Sequence, residues 1–482
     1  MSLMILGTAS HVGKSTIVAA ICRSLSKRNI SVSPFKSQNM SLNSYVTKDG
    51  AEIGIAQAIQ AFAAKAEPSA EMNPVLLKPK GDQTSQVVLL GKPYKDVKIS
   101  DYYKETEYLL NIAEESYNKL ESEYKNIVVE GAGSAAEMNL YDRDIANILL
   151  AKKIRLPIII VGDIERGGIF AQIIGTYELL PPEIRENVCG FIINKFRGDF
   201  GLFSEGIKII EKKTGLPVLG VLPFTKMSIP SEDSLSINDK KSGDFPVRIA
   251  VVKLSRISNF SDFEILENYA SVLYTEPEKD LEGFDCIIIP GTKNTVEDMQ
   301  ELKKAGFDEK LKKARRKKIP IIGICGGYQM LGKKIRDEGF ESGEKNTFEG
   351  FGLLDIETAF ENYNKTTIQV KRNANQIGPI LSSAGEVKGY EIHMGKTILK
   401  ETKEAFSGDG AVSDDGLVIG TYMHGLFKNT NFTDALLKYL YSNKNISYSP
   451  ITDNDPQEAY ESLSKHFEEN VDFEKIICYF KN

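Results

Sequence analysis

Six short runs rich in Val and Ile, at residues 3–6, 30–32, 126–129, 156–161, 188–193 and 218–222, alternate with helical, charge-bearing stretches. Runs of this length, bounded by Gly, Pro or Asp, read as the buried strands of a parallel sheet covered by helices. The alternation breaks at residues 231–245, SEDSLSINDKKSGDF, which are polar, acidic and poor in large apolar side chains. It restarts at 246–252 and continues at 286–289, 319–324 and 417–420. The restart predicts an α/β protein of two domains, each a mainly parallel sheet flanked by helices. We expect the first over residues 1–230, a linker over 231–246, and the second over 247–482 with a helical tail at its end. A chain of 482 residues also exceeds what one hydrophobic core usually covers.

A net charge of −6 provides no global basic field, which argues against a nucleic-acid or anionic-membrane partner. The basic run KLKKARRKK at 310–318 reads as a solvated helix end ahead of a strand. Five scattered cysteines, with no CxxC spacing, suggest neither a disulfide framework nor a zinc site, and fit a reducing cytoplasm. The opening MSLMILGTAS lacks the charged region and long apolar core of a leader peptide, and no run approaches the roughly 18 apolar residues of a spanning helix.

The first apolar run leads directly into GTASHVGKST, residues 7–16, and then into the helical IVAAICRSL. Strand, glycine loop and helix together form a phosphate cradle, because backbone N–H groups converge on an anion at a positive helix N-terminus. Gly13, Lys14, Ser15 and Thr16 are the expected nucleotide-binding residues, Lys14 reaching the outer phosphates and the Ser15 hydroxyl ligating Mg²⁺. Five residues separate Gly7 from Gly13, one more than in the common motif. Glu130 ends the run at 126–129, where it either holds Mg²⁺ or caps a strand in solvent. Asn194 and Lys195 end another run, where the amide can read a purine edge and the lysine stem can cover the base. His11 touches nucleotide or faces water; His466, in a polar helix, is expected in solvent.

The second domain has its own glycine-rich turn, GICGGYQM at 323–330. Gly-x-Cys-x-Gly after a strand has the spacing of a nucleophile elbow, in which a tight strand-to-helix turn pushes one side chain out of the sheet. Cys325 is the expected nucleophile, while Cys22, Cys189, Cys286 and Cys478 read as inert core thiols. Of four histidines, His424 in GTYMHGLF follows a strand and is favoured as the base; His393 in GYEIHMG is its rival. The loop PGTKNT at 290–295 can offer a backbone N–H, at Gly291, that with Gly326 forms an oxyanion hole.

At these motifs the C-terminal half resembles the class I glutamine amidotransferases. The N-terminal half resembles the dethiobiotin-synthetase-like phosphate-loop proteins, which share the longer glycine spacing. Together with FKSQNMSLNS at 35–44, MNPVLLKP at 72–79 and VGDIERGG at 161–168, the whole chain resembles the cobyric acid synthase family. That resemblance implies a C–N ligase that uses ATP, Mg²⁺ and glutamine. Its substrate would be a corrin, (adenosyl)cobyrinic acid a,c-diamide, amidated at its b, d, e and g carboxylates. It also implies that Lys36 lies near the reacting carboxylate and phosphate, that Asn194 and Lys195 hold the base, and that Asp49 is a further metal candidate. One departure stands out: many class I amidotransferases carry a Glu two residues after the histidine, and here that position is Leu426. A Cys-His dyad, or an orienting group from elsewhere such as Glu391, takes its place. Two rivals remain, an a,c-diamide synthase and a regulatory phosphate-loop ATPase. The latter commonly has a second lysine early in the loop, absent here, and has no use for a nucleophile elbow.

Overall fold

The computed structural model describes residues 2–81, 83–225, 243–451 and 456–480; most of the expected linker, 231–242, lies outside the described residues. In the first half, β1 (Ser2–Gly7) leads through the glycine loop into α1 (Lys14–Lys27). It is followed by β2 (Ser33–Phe35), β3 (Ile127–Glu130), β4 (Ile158–Asp163), β5 (Val188–Phe196) and β6 (Val218–Pro223). These form one all-parallel sheet in the order β6-β5-β4-β1-β3-β2. Leu3, Met4, Ile5 and Leu6 have no exposed surface, as a strand covered on both faces requires. Register brings the C-terminal ends of neighbouring strands together, pairing Ile5 with Glu130, Gly7 with Val161 and Asp163 with Asn194. The run expected as a strand at 30–32 is instead the lead-in to β2. The Ile30 N–H closes the end of α1 on the Leu25 carbonyl, so pairing begins only at Ser33.

The second half repeats the plan. β7 (Arg248–Val252), β8 (Ser271–Thr275), β9 (Cys286–Ile289), β10 (Ile321–Ile324), β11 (Ala411–Val412) and β12 (Val418–Thr421) form a sheet in the order β8-β7-β9-β10-β12-β11, parallel except at β11. Around the two main sheets lie smaller ones that the apolar runs do not announce, among them one mixed and one antiparallel. One comprises Gln38–Met40, Val75–Gly81, Thr84–Leu89 and Lys92–Lys98; another comprises Thr366–Asn373, Glu386–His393 and Met423–His424. Some of their strands carry many charged side chains, as in Lys92–Lys98 (KPYKDVK), and so escape a search for apolar runs.

The two halves meet through buried polar contacts. Ser44 N–H donates to Asn259 Oδ1 at 2.9 Å, and the Tyr390 hydroxyl donates to the Ser44 carbonyl at 2.9 Å. The tail, expected with the second domain, packs on the first: Leu463, Phe467, Val471, Phe473 and Ile476 join the core around β1 and α1. Its helix α2 (Pro456–Asn470) is amphipathic, and β6 accepts it through a Gly220–Val471 bridge. No helix among the described residues is long and apolar enough to cross a membrane.

Candidate active sites

At the end of β10 the chain turns sharply into the short helix Gly326–Met330, and Cys325 takes φ 52° and ψ −109° at the turn. A positive φ is costly for a residue with a side chain and marks the strained turn that an elbow requires. The flanking glycines are there for space. A Cβ on Gly327 would stand 2.0 Å from the Ile289 carbonyl oxygen, and one on Gly323 would stand 2.8 Å from Gly327. Cys325 is buried, and its thiol donates to the Ile392 carbonyl at 3.4 Å. Both expected oxyanion residues border the same space. A Gly326 Cβ would lie 3.3 Å from Thr292 N, and a Gly291 Cβ would lie 3.1 Å from His424 Cε1.

His424 sits buried on the short strand Met423–His424, which pairs with Glu386–His393, and is within hydrogen-bonding reach of the Cys325 thiol. Its Nδ1 lies 2.8 Å from Asp262 Oδ2, while Asp262 Oδ1 accepts the Gly425 N–H at 3.0 Å. Burial by itself would lower the imidazole's pKa. The charge and hydrogen bond of Asp262, with a smaller contribution from Cys325, outweigh it and raise the value to about 10. The orienting group is therefore Asp262, from the 3₁₀ segment Phe260–Asn268, and not Glu391. Glu391 is taken by Arg372 at 2.6 Å and by His393 at 3.6 Å. His393 stacks on Tyr422 with ring centres 3.6 Å apart and borders the cavity, but the carboxylate beside it, Glu391, is shared with Arg372. Leu426 is simply buried core. The other thiols divide: Cys22 and Cys286 are buried and held far above the usual thiol range by that burial, Cys189 is half-buried, and Cys478 is exposed on the tail rather than in a core.

At the other site, Gly13 adopts φ 101° and opens α1, which has no side-chain cap and no acid in its first turn. Its N–H groups are thus presented to an anion. Lys14 curls over the loop, donating to the carbonyls of Ala9 at 3.0 Å and Gly133 at 2.7 Å. Ser15 Oγ donates to Glu130 Oε1 at 2.8 Å, and Lys36 Nζ lies 2.9 Å from the same oxygen. Asn194 holds the loop through the Val12 carbonyl at 2.9 Å; Lys195 bonds Asp163 at 2.8 Å and the His11 carbonyl at 2.7 Å. Gly13, Thr16, Asn194 and Lys195 border one cavity, whose far wall is His466 and Phe467 of the tail. His466, expected in solvent, is half-buried there, with Nε2 3.1 Å from the Pro223 carbonyl.

Asp49 stands apart, exposed in the turn 47–51 and bonded to the Thr47 hydroxyl. Gln60, by contrast, joins the site unannounced by any motif: Nε2 donates to Glu130 and to the Ser15 carbonyl, while its buried Oε1 has no partner among the described residues. That orphaned oxygen, the Ser15 hydroxyl and the Glu130 carboxylate are hard donors beside a phosphate cradle, a set that fits Mg²⁺. Nothing local in the sequence marked Gln60 or Asp262; each is one polar residue in an otherwise ordinary helical stretch.

Residues 3–236 match the family described as the CobQ/CobB/MinD/ParA nucleotide binding domain, and residues 248–432 match the CobB/CobQ-like glutamine amidotransferase domain. A nucleotide-binding domain joined to an amidotransferase defines a C–N ligase that takes its nitrogen from glutamine. Among similar proteins are probable cobyric acid synthases from Methanoculleus marisnigri (60% identical, covering 100% of this chain and 99% of that one), Methanoregula boonei (61%, 99% and 99%) and Methanosarcina barkeri (56%, 98% and 98%). The chain belongs to the cobyric acid synthase family.

Proposed function

We propose that the protein amidates the b, d, e and g carboxylates of (adenosyl)cobyrinic acid a,c-diamide, one after another, using ATP and glutamine. The observation that carries this reading is the presence on one chain of a buried Cys325–His424–Asp262 constellation and a Lys14–Ser15–Glu130 phosphate cradle.

At the thiol site, Cys325 attacks the side-chain carbonyl carbon of glutamine. His424, which holds a proton at neutral pH, gives it to the departing nitrogen, so that ammonia leaves and a thioester remains. Backbone N–H groups at Gly291 and Gly326 receive the charge that builds on the carbonyl oxygen. Water, deprotonated by His424, then releases glutamate and restores the thiol. Asp262 keeps the imidazole in one orientation throughout.

At the second site a corrin carboxylate is a poor acyl donor, because its leaving group would be oxide. Its oxygen attacks the γ-phosphorus of ATP, ADP leaves, and the resulting acyl phosphate reacts with ammonia to give amide and phosphate. Lys14 and the amides of Gly13 to Thr16 offset phosphate charge, Lys36 steers the carboxylate, and Asn194 and Lys195 lie where the base is held. Ser15, Glu130 and Gln60 would hold Mg²⁺, which supplies further charge neutralisation on the phosphates.

The test is mass spectrometry of product formed from a,c-diamide, ATP and glutamine, where each amidation changes the mass by a fixed step. Cys325→Ala should abolish the glutamine-dependent product and leave the product formed with added ammonium chloride. If the ammonia reaction also fails in a folded variant, the division of labour is wrong.

A further inference from the structure

Four charged side chains in the cavity beside Cys325 and His424 have no part in the hydrolysis described above: Lys78, Lys293, Lys365 and Glu341. Lys78 comes from the nucleotide-binding half, on the strand Val75–Gly81, and the other three from the amidotransferase half. Lys78 donates to Ser44 Oγ at 3.0 Å and pairs with Glu52 at 2.5 Å; Lys365 pairs with the other oxygen of the same carboxylate. Glu52 is completely buried, so one carboxylate faces two ammonium groups. Lys293 donates only to the neutral Gln86 amide, at 3.0 Å, and no carboxylate among the described residues comes within ion-pair distance of it. Glu341 accepts the Thr295 N–H on one oxygen at 2.7 Å, and no donor among the described residues reaches the other.

Three ammonium groups and two carboxylates leave this cavity one positive charge in excess, and Lys293 and Glu341, the two half-buried members with no ion-pair partner among the described residues, have opposite signs. An ion taken out of water without a counter-ion is costly, so such a cavity is complementary to a zwitterion carrying a carboxylate for Lys293 and an ammonium for Glu341. The titrations agree with the geometry. Burial first, then the neighbouring lysines, lower Lys293 to about 7; burial raises Glu341 to about 7. A ligand bearing both charges would restore each group to its ionised form.

We propose that Lys293, backed by Lys365 and Lys78, receives the α-carboxylate of the amide donor while Glu341 receives its α-ammonium, so that the nucleotide-binding domain completes the glutamine pocket. This rests on Cys325 being the nucleophile toward glutamine. Ser44, which accepts from Lys78, is itself held by Asn259 and Tyr390 of the second domain. The amino-acid head therefore sits where the two domains grip one another, and its affinity depends on their contact.

The experiment uses the full-length protein with glutamine and two truncated amides: 4-aminobutanamide, which lacks the α-carboxylate, and glutaramate, which lacks the α-amino group. Ammonia release is measured for each and normalised to the ammonia-driven ligase rate of the same preparation. Lys293→Met should raise KM for glutamine about tenfold to a hundredfold and erase the preference for glutamine over 4-aminobutanamide, while the preference over glutaramate persists. Glu341→Gln should do the reverse, and Lys293→Arg should recover most of the affinity. Lys78→Met, altered in the other domain, should raise KM for glutamine severalfold with kcat little changed. Wild-type KM and wild-type discrimination in both Lys293→Met and Glu341→Gln would overturn the proposal. Cys325→Ala runs in parallel. Ammonia release from glutamine by that variant would sink the nucleophile assignment itself, whereas a dead Cys325→Ala beside unaffected Lys293 and Glu341 variants would sink only the present inference.

Discussion

Burial alone would strip His424 of its proton at neutral pH, and it is the carboxylate 2.8 Å from Nδ1, with Cys325 adding to it, that reverses the direction and holds the pKa at about 10. Asp262→Asn removes that charge while keeping the shape. Glutamine-dependent turnover should fall by about 10²–10⁴-fold, as for loss of the orienting acid in other nucleophile–His–acid sites, with ammonia-driven amidation retained. The alkaline limb of the glutaminase pH profile, near 10 in the parent, should move down in the variant. The same linkage acts on stability. Because His424 is raised from 6.5, its pairing stabilises the fold fully below that value and is lost as pH rises through about 10. Thermal unfolding at pH 7 and pH 10, parent against Asp262→Asn, measures this directly: the gap between the two proteins should narrow at the higher pH.

The elbow and the tail make different demands on their elements. Between β9 and β10 the chain passes so close that a Cβ on Gly327 would stand 2.0 Å from the Ile289 carbonyl, a backbone atom that cannot swing aside. Gly327→Ala should therefore destabilise the amidotransferase domain by about 1–3 kcal/mol and move the Cys325 turn, lowering glutaminase kcat more than KM. Urea unfolding and steady-state kinetics on the same variant check both. The tail contributes Leu463 and Phe467 to the first core and the His466–Phe467 wall to the cavity beside Gly13. Ending the chain at residue 451 should lower the unfolding temperature of the nucleotide-binding domain and raise KM for ATP, although α2 follows the amidotransferase domain in sequence.

Across the whole molecule, Glu52 ties the domains together through Lys78 on its own side and Lys365 on the other. Burial works against its ionisation, but the two lysines win and hold the carboxyl well below its usual range. A depressed carboxyl stabilises the fold above its unfolded value of 4.5, and that contribution is lost as pH falls. Glu52→Gln leaves two ammonium groups without their shared counter-ion and should cost about 3–5 kcal/mol, read as a lower unfolding temperature at pH 7 and a smaller difference from the parent at acid pH. The strand-loop-helix units around Lys14 and Cys325 were legible in the sequence because each is a local arrangement: a few glycines after an apolar run permit one turn, and the turn dictates what its end presents. Charged strands such as Lys92–Lys98 were not legible, since no apolar run announces them. Nor was the partner of His424, which lies 162 residues away, or the placing of Lys78 beside Cys325. Sequence by itself determined most strands of the two main sheets and the glycine turns that carry Lys14 and Cys325; which carboxylate backs the histidine, which lysines meet the thiol cavity and which core takes the tail were decided only when the sheets packed, because contacts between residues remote along the chain leave no period or spacing to read.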